Sequence, residues 1–212
     1  MRSTHLKWLI YIAILVIIGV AQAACASPPN ITSTSAPSRT FTATDLLLRA
    51  NLLPDGWQAQ GGPSEYPAHT IGIRKALSGS EIDFIRFGSS GVQATVNQMI
   101  VPFRNTQDAA EGYQAHDYTH DTVGPYAVTW KPVISFTYQS PLANQFRVVC
   151  GSVRNIHGGS LCTIEGQYEK FLSMTDYSSD YGSEDFQRTV DDLEIIARAI
   201  DAHMARYLEK DK

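Results

Sequence analysis

The sequence predicts an α+β fold, an antiparallel sheet with helices packed on one face, and three observations carry that expectation. Apolar residues alternate through several short runs, as in Ile82, Phe84 and later Phe87, then Val92, Ala94, Val96 and Ile100, the period-2 pattern of half-buried strands. Turn chemistry separates the runs at Leu77-Ser78-Gly79-Ser80 and Ser89-Ser90-Gly91, which suits hairpins rather than crossover helices. The chain closes on a segment whose apolar residues recur at spacings of three and four, the stripe of an amphipathic helix.

The elements follow in order. Thr42-Ala43-Thr44-Asp45 has capping-box spacing, Asp45 standing where Glu is preferred, and Leu46, Leu47, Leu48 and Leu52 supply the apolar side of a short helix. Pro54-Asp55-Gly56 ends it. Ile71 and Ile73 open the alternating stretch, which reads as an antiparallel meander. Asn105 is placed to cap a helix from about Thr106 to Tyr118, weakened by Gly112. Strand-like runs follow at 128–133, 134–138, 146–153 and 161–172. In the last helix, opening after Ser183, Phe186, Val190, Leu193, Ala197, Ile200, Met204 and Tyr207 form the core stripe, with Asp191, Arg198 and Asp201 expected to face water. No internal repeat is present.

Between Phe146 and Glu165 two β-rich runs flank a turn at Asn155–Gly159. Folding that hairpin about Ile156 sets Cys150 opposite Cys162, Val148 opposite Ile164 and Arg147 opposite Glu165: an apolar pair on one face and a charge pair on the other. Directly opposed positions are close enough for a disulfide, and closing so short a loop stabilises by about 3 kcal/mol in the chain-entropy model.

The first residues give the address. Arg2 and Lys7 precede an apolar run from Trp8 to Val20 that ends in Ala21, Gln22, Ala23, Ala24 and Cys25, the order of a secretory signal peptide. Residues 1–24 are read as signal, 25–41 as a modified N-terminus followed by a Ser/Thr/Pro tether that cannot bury a core, and 42–212 as one globular domain. Ala23-Ala24-Cys25 resembles the lipobox of bacterial lipoproteins, and Gln22 departs from the aliphatic residue usual in that family. The resemblance implies a diacylglycerol thioether on Cys25, a palmitate-bearing anchor and a place on the outer side of the bacterial membrane. It also accounts for the odd cysteine among three, leaving Cys150 and Cys162 to pair. Two alternatives stay open: release by cleavage after Ala21-Gln22-Ala23, or retention of 8–24 as a membrane helix at the short end of the ~17–25 residues needed to span. All three readings put the domain outside the cytoplasm.

Loss of Arg2 and Lys7 with the signal leaves 15 of the 17 basic side chains against 21 acidic ones, a net charge of −6. A mildly acidic surface argues against nucleic acid and anionic lipid headgroups as partners, since both need a clustered positive field. Asn30-Ile31-Thr32 in the tether matches the glycosylation sequon.

Leu-Leu-Pro-Asp-Gly-Trp at 52–57, following a short helix and a Ser/Thr/Pro tether, resembles the mature start of many small bacterial lipoproteins. The α+β sketch is similar to the PsbP and LpqN class of exported domains and to the extracellular sensor domain of mycobacterial PknH-type kinases. The resemblance implies a single exported α+β domain and carries over no functional residue.

Candidate sites are few. His116 and His120 lie four apart, one helical face, as a metal site requires, but Asp117 stands where a zincin has its Glu and only two ligands are visible. The run Asp176–Asp185 is acidic but lacks the calcium-loop order, and reads as a solvated loop before the last helix. Gly158-Gly159-Ser160 has no following helix to bind phosphate and reads as turn chemistry. Neither metal nor cofactor is implied, and no G-x-S-x-G elbow is present. The mature chain keeps the tyrosines and tryptophans other than Tyr11 and Trp8; Trp57, Trp130 and these tyrosines could line an amphipathic binding face, though core packing is the commoner fate of aromatics. The expectation is a membrane-tethered, extracytoplasmic lipoprotein that binds a small ligand or acts as an accessory domain for an envelope protein. The alternative is an envelope hydrolase with dispersed catalytic residues: a concave pocket with converging His and carboxylates would favour it, and a flat, Tyr-rich sheet face would favour binding.

Overall fold

The computed structural model describes residues 41–89, 91–116, 128–153, 160–180 and 186–208, and Phe41–Lys212 forms one compact unit. Eight strands among the described residues build one antiparallel sheet: β1 (Trp57–Ala59), β2 (Ser64–Tyr66), β3 (Gly79–Gly88), β4 (Gly91–Pro102), β5 (Val128–Pro132), β6 (Gln145–Val153), β7 (Ser160–Tyr168) and β8 (Phe171–Ser179). Their order across the sheet is β1-β3-β4-β8-β7-β6-β5, with β2 also on β3. Three α-helices among the described residues accompany it: α1 (Ala68–Ile71), α2 (Thr106–Ala115) and α3 (Phe186–Leu208).

The long α3 lies along one face, as the periodicity predicts. Val190, Leu193, Ile196, Ala197, Ile200 and Met204 pack there with Phe84, Val96, Ile100, Ile164, Tyr168 and Tyr177 of the strands. The N-terminal leucines join the same core: Leu46, Leu47 and Leu48 are buried, but the segment forms two 3-10 turns, Thr44–Leu46 and Ala50–Leu52, with Leu47 and Leu48 in the link between them, rather than an α-helix. The capping-box geometry survives in part, since Asp45 accepts from both the N–H and the hydroxyl of Thr42 at 2.8 Å.

One helix departs from the one-faced arrangement. Met99, Val101 and Phe103 alternate onto the opposite face from Ile100, so the end of β4 is apolar on both sides. Helix α2 covers that second side, packing Ala109 and Tyr113 on Val101, Phe103 and Leu172. Asn105 caps it as expected, accepting from the Asp108 N–H at 2.8 Å, and Gly112 is required by close approach: a Cβ there would stand 2.6 Å from Phe103 Cζ. Helix α2 ends at Ala115, with His116 already extended; residues 117–118 of the predicted span lie outside the described residues.

Three strand expectations are corrected. Ile71 ends the short α1 and Ile73 follows it, so neither is in a strand; Gly72 stops the helix with φ +72°. The run 134–138 is irregular rather than extended: Thr137 and Tyr138 are tied to Glu194 and Asp201 of α3, while Ile134 is exposed. The run 161–172 is two strands: the chain reverses at Glu169-Lys170, with Glu169 at φ +53°, a conformation costing a non-glycine residue about 1–2 kcal/mol. The turn is held by the Asn144 side chain, which accepts from the Glu169 N–H, and by Gln167, which donates to the Glu169 carbonyl.

Candidate functional site

The register across β3, β4, β8, β7 and β6 sorts side chains into rows on the face opposite α3. One row reads Asp83, Asn97, Asp176, Thr163, Val149; the next, toward α2, reads Glu81, Met99, Met174, Glu165, Arg147; the next, away from it, reads Ile85, Thr95, Ser178, Leu161, Gly151 and then Trp130 on β5. Among the described residues, α2 covers the end of this face around Val101, Leu172, Met99 and Met174. Thr95, Asp176 and Ser178 remain exposed, and a shallow concavity of about 170 Å³ opens among Asp83, Thr95, Asn97, Leu161, Asp176 and Ser178. Side chains in the row bond to one another along it: Asn97 donates to Asp83 at 2.8 Å and Thr163 to Asp176 at 2.6 Å. A regular sheet thus presents fixed carboxylates, an amide and hydroxyls, which suits hydrogen-bonded recognition of a polar ligand or partner.

Where this strip meets α2, a buried ionic cluster stands. Glu165 is fully buried. Arg147 donates Nε to Glu165 Oε2 at 2.5 Å and its Nη2 also meets that carboxylate; the same guanidinium donates to the carbonyls of Tyr113 and His116 and lies over the Tyr113 ring. His116 Nδ1 is 2.9 Å from Glu165 Oε1. Arg147 therefore caps the carbonyl end of α2 while neutralising the carboxylate beneath it, and burial pushes the Tyr113 phenol up to about 12.

Under α3, two carboxylates gather further polar contacts. Asp192 accepts from Arg86 Nη1 and Nη2 and from the Tyr177 hydroxyl, with Arg86 also stacked on Trp57. Asp201 is 5% exposed and accepts three hydroxyls: Tyr138 at 2.5 Å, Tyr168 at 2.6 Å and Ser140 at 2.8 Å. The expectation that Asp201 faces water is corrected: it lies four residues after Ala197 and three before Met204, within the buried stripe.

The other predicted residues fall as follows. Cys150 and Cys162 are joined across β6 and β7, in a register that also pairs Val148 with Ile164 and Arg147 with Glu165. His116 closes α2 and bonds Glu165; His120 lies outside the described residues, as do Cys25, the sequon at Asn30 and the turn glycines 158–159. Asp176 is not in a loop: it belongs to β8, and the reading of 176–185 as one solvated loop fails for its first four residues. Trp57 is buried, and Tyr168 and Tyr177 pack beneath α3, so these aromatics are core, while Trp130 occupies the β5 end of the open face.

Between described residues, no Ser, Thr or Cys side chain is hydrogen-bonded to a histidine, and among them no three His, Cys, Asp or Glu side chains are grouped as a metal ion needs. His203 bonds the Asp45 carbonyl and His69 is exposed on α1. No helix among the described residues is long and apolar enough to cross a membrane. The Arg147–Glu165 pair is legible in the sequence, but His116 as its third member is not, because the two segments come together only when α2 packs on the sheet.

No protein-family model matches the chain, and no curated protein matches it. Among solved structures the chain is similar to the extracellular domain of PknH from Mycobacterium tuberculosis, with 12% identity and a TM-score of 0.54 over 76% of this chain and 93% of that one. At that identity the likeness is one of fold.

Proposed function

We propose that the chain is a membrane-tethered, extracytoplasmic domain that works by binding a polar ligand or an envelope partner rather than by turnover. The open strip Asp83–Asn97–Asp176, with Thr95 and Ser178 beside it, is the observation that carries the binding reading: its groups are fixed on three paired strands, with Thr95, Asp176 and Ser178 exposed. Placement outside the cytoplasm is supported by the signal-like N-terminus, by the Cys150–Cys162 disulfide, which persists in oxidising compartments, and by a fold shared with an extracellular domain. Lipid on Cys25 is the proposed anchor, and two acyl chains would hold it stably where one would not.

Two measurements test this. Intact-mass analysis should give a mature chain beginning at a modified Cys25, and Cys25→Ala should leave the membrane fraction; an unmodified start at Ala24 refutes the anchor. Tagged full-length protein should enrich a ligand or partner from membranes, and Asn97→Ala with Asp176→Ala should lose that enrichment while the sheet's circular dichroism is retained. Equal recovery by the variant would move binding away from this face.

A further inference from the structure

The chain enters the domain through segment 41–53, and α3 is the helix on which its first turn rests. His203 on α3 is 2% exposed, and its Nε2 lies 2.9 Å from the carbonyl oxygen of Asp45. A carbonyl can only accept, so Nε2 carries the proton and Nδ1 of the neutral ring is a bare acceptor. That Nδ1 is buried and has no hydrogen-bond partner. The charges bearing on the ring are Arg49 from the segment and Arg206 from α3, both cationic. Asp45 gives no counter-charge, since its carboxylate is turned back on Thr42, and Tyr207 presents a neutral ring edge-on at 5.4 Å.

We propose that His203 is a pH-operated latch between the N-terminal turn and α3, which holds the turn down when neutral and favours its lifting when protonated. An imidazolium at this position needs an acceptor at hydrogen-bond distance for its second N–H and relief from the arginine charges; lifting the turn admits water to Nδ1 and carries Arg49 away, while Arg206 stays on α3 and is screened by that water. Burial first, and the two arginines after it, hold His203 below its ordinary value, against the carbonyls of Asp45 and Leu47. The released state therefore binds the proton more tightly, so the contribution of the latch is complete above the ordinary histidine range, about 6.5, and declines as pH falls through it toward the lower latched value. Leu46, Leu47 and Leu48 are also held by burial, and the Leu48 N–H donates to Gln98 Oε1 at 2.7 Å, so acid shifts the opening equilibrium rather than throwing it over.

Hydrogen exchange on the full chain in detergent, at pH 7.5 and 5.0 with intrinsic rates corrected, should show protection at Leu46–Leu48 falling severalfold while β4, β7 and β8 keep theirs. In His203→Gln, which stays neutral, that pH dependence should vanish. A fall shared equally by the central strands, no fall at all, or the same fall in His203→Gln would each overturn the proposal. NMR titration of His203 in the wild-type chain decides independently of how the variant folds: a midpoint at or above the ordinary histidine value also overturns it.

Discussion

Asp201→Ala separates two opposite expectations for one residue. On a solvated helix face the change is worth no more than about ±0.5 kcal/mol, with a small gain because alanine is the better helix former. The structure gives another sum. Tyr168 is fully buried and loses a charged acceptor at 2.6 Å, which costs about 1.5–3 kcal/mol. Tyr138 and Ser140 are half-buried and rehydrate, so their bonds count for about 0.5–1 kcal/mol each. Relief from burying a carboxylate and the alanine propensity offset part of this, leaving a loss of about 2–4 kcal/mol, or about 4–16 °C in Tm for a domain of this size. Urea unfolding followed by the buried Trp57 reads it directly. Asp201→Asn should fall between, since its oxygen still accepts while its amide forces a hydroxyl to turn. A loss below about 1 kcal/mol for Asp201→Ala would refute the reasoning, because three satisfied hydroxyls on one carboxylate cannot be removed that cheaply from a buried site.

Gly112→Ala should destabilise although it sits inside a helix: the propensity gain of about 1 kcal/mol is outweighed by overpacking of about 1–3 kcal/mol from a Cβ 2.6 Å from the buried Phe103 ring, and a raised urea midpoint would contradict this. Replacing both Cys150 and Cys162 by alanine opens a loop of sequence separation 12 and should cost about 3 kcal/mol, seen as a lower Tm with the sheet's circular dichroism retained; an unchanged Tm would show that the disulfide adds nothing to the hairpin.

The legible parts of this fold are those in which a local period and a partner close in sequence point to the same answer. The β6–β7 hairpin was readable because strand alternation left one register in which Cys150 met Cys162, Val148 met Ile164 and Arg147 met Glu165 at once. Strand β8 was hidden for the converse reason. Its entry turn, Glu169-Lys170, contains no Gly, Asn or Pro, and its stability comes from Asn144 and Gln167, one of them 25 residues away. Its far end, Asp176 to Ser179, looks like a loop because Asp176 and Ser178 lie on the open face and Ser179, on the covered face, meets Thr189 of α3, leaving Tyr177 as its single aromatic or aliphatic residue. The open strip that carries the proposed function was therefore invisible until β8 was placed between β4 and β7.

Buried polar groups escaped for a related reason. Gln98 answers to Leu48 and Ser173, Asp192 to Arg86 and Tyr177, and Asp201 to Tyr138, Ser140 and Tyr168; none has its partner within one turn or one hairpin. A polar residue inside an apolar stripe is the local trace such networks leave, and Asp201, between Ala197 and Met204, left it. In a helix that covers a sheet, a charge in the stripe must find its partner on the sheet or on a crossing segment, because isolated burial of a carboxylate is too costly. Here the crossing segment is 133–144, whose strand-like composition is spent on anchoring to α3 through Thr137, Tyr138 and Ser140. The misread strand and the misread aspartate are thus two ends of one contact, and neither could be read correctly without the other.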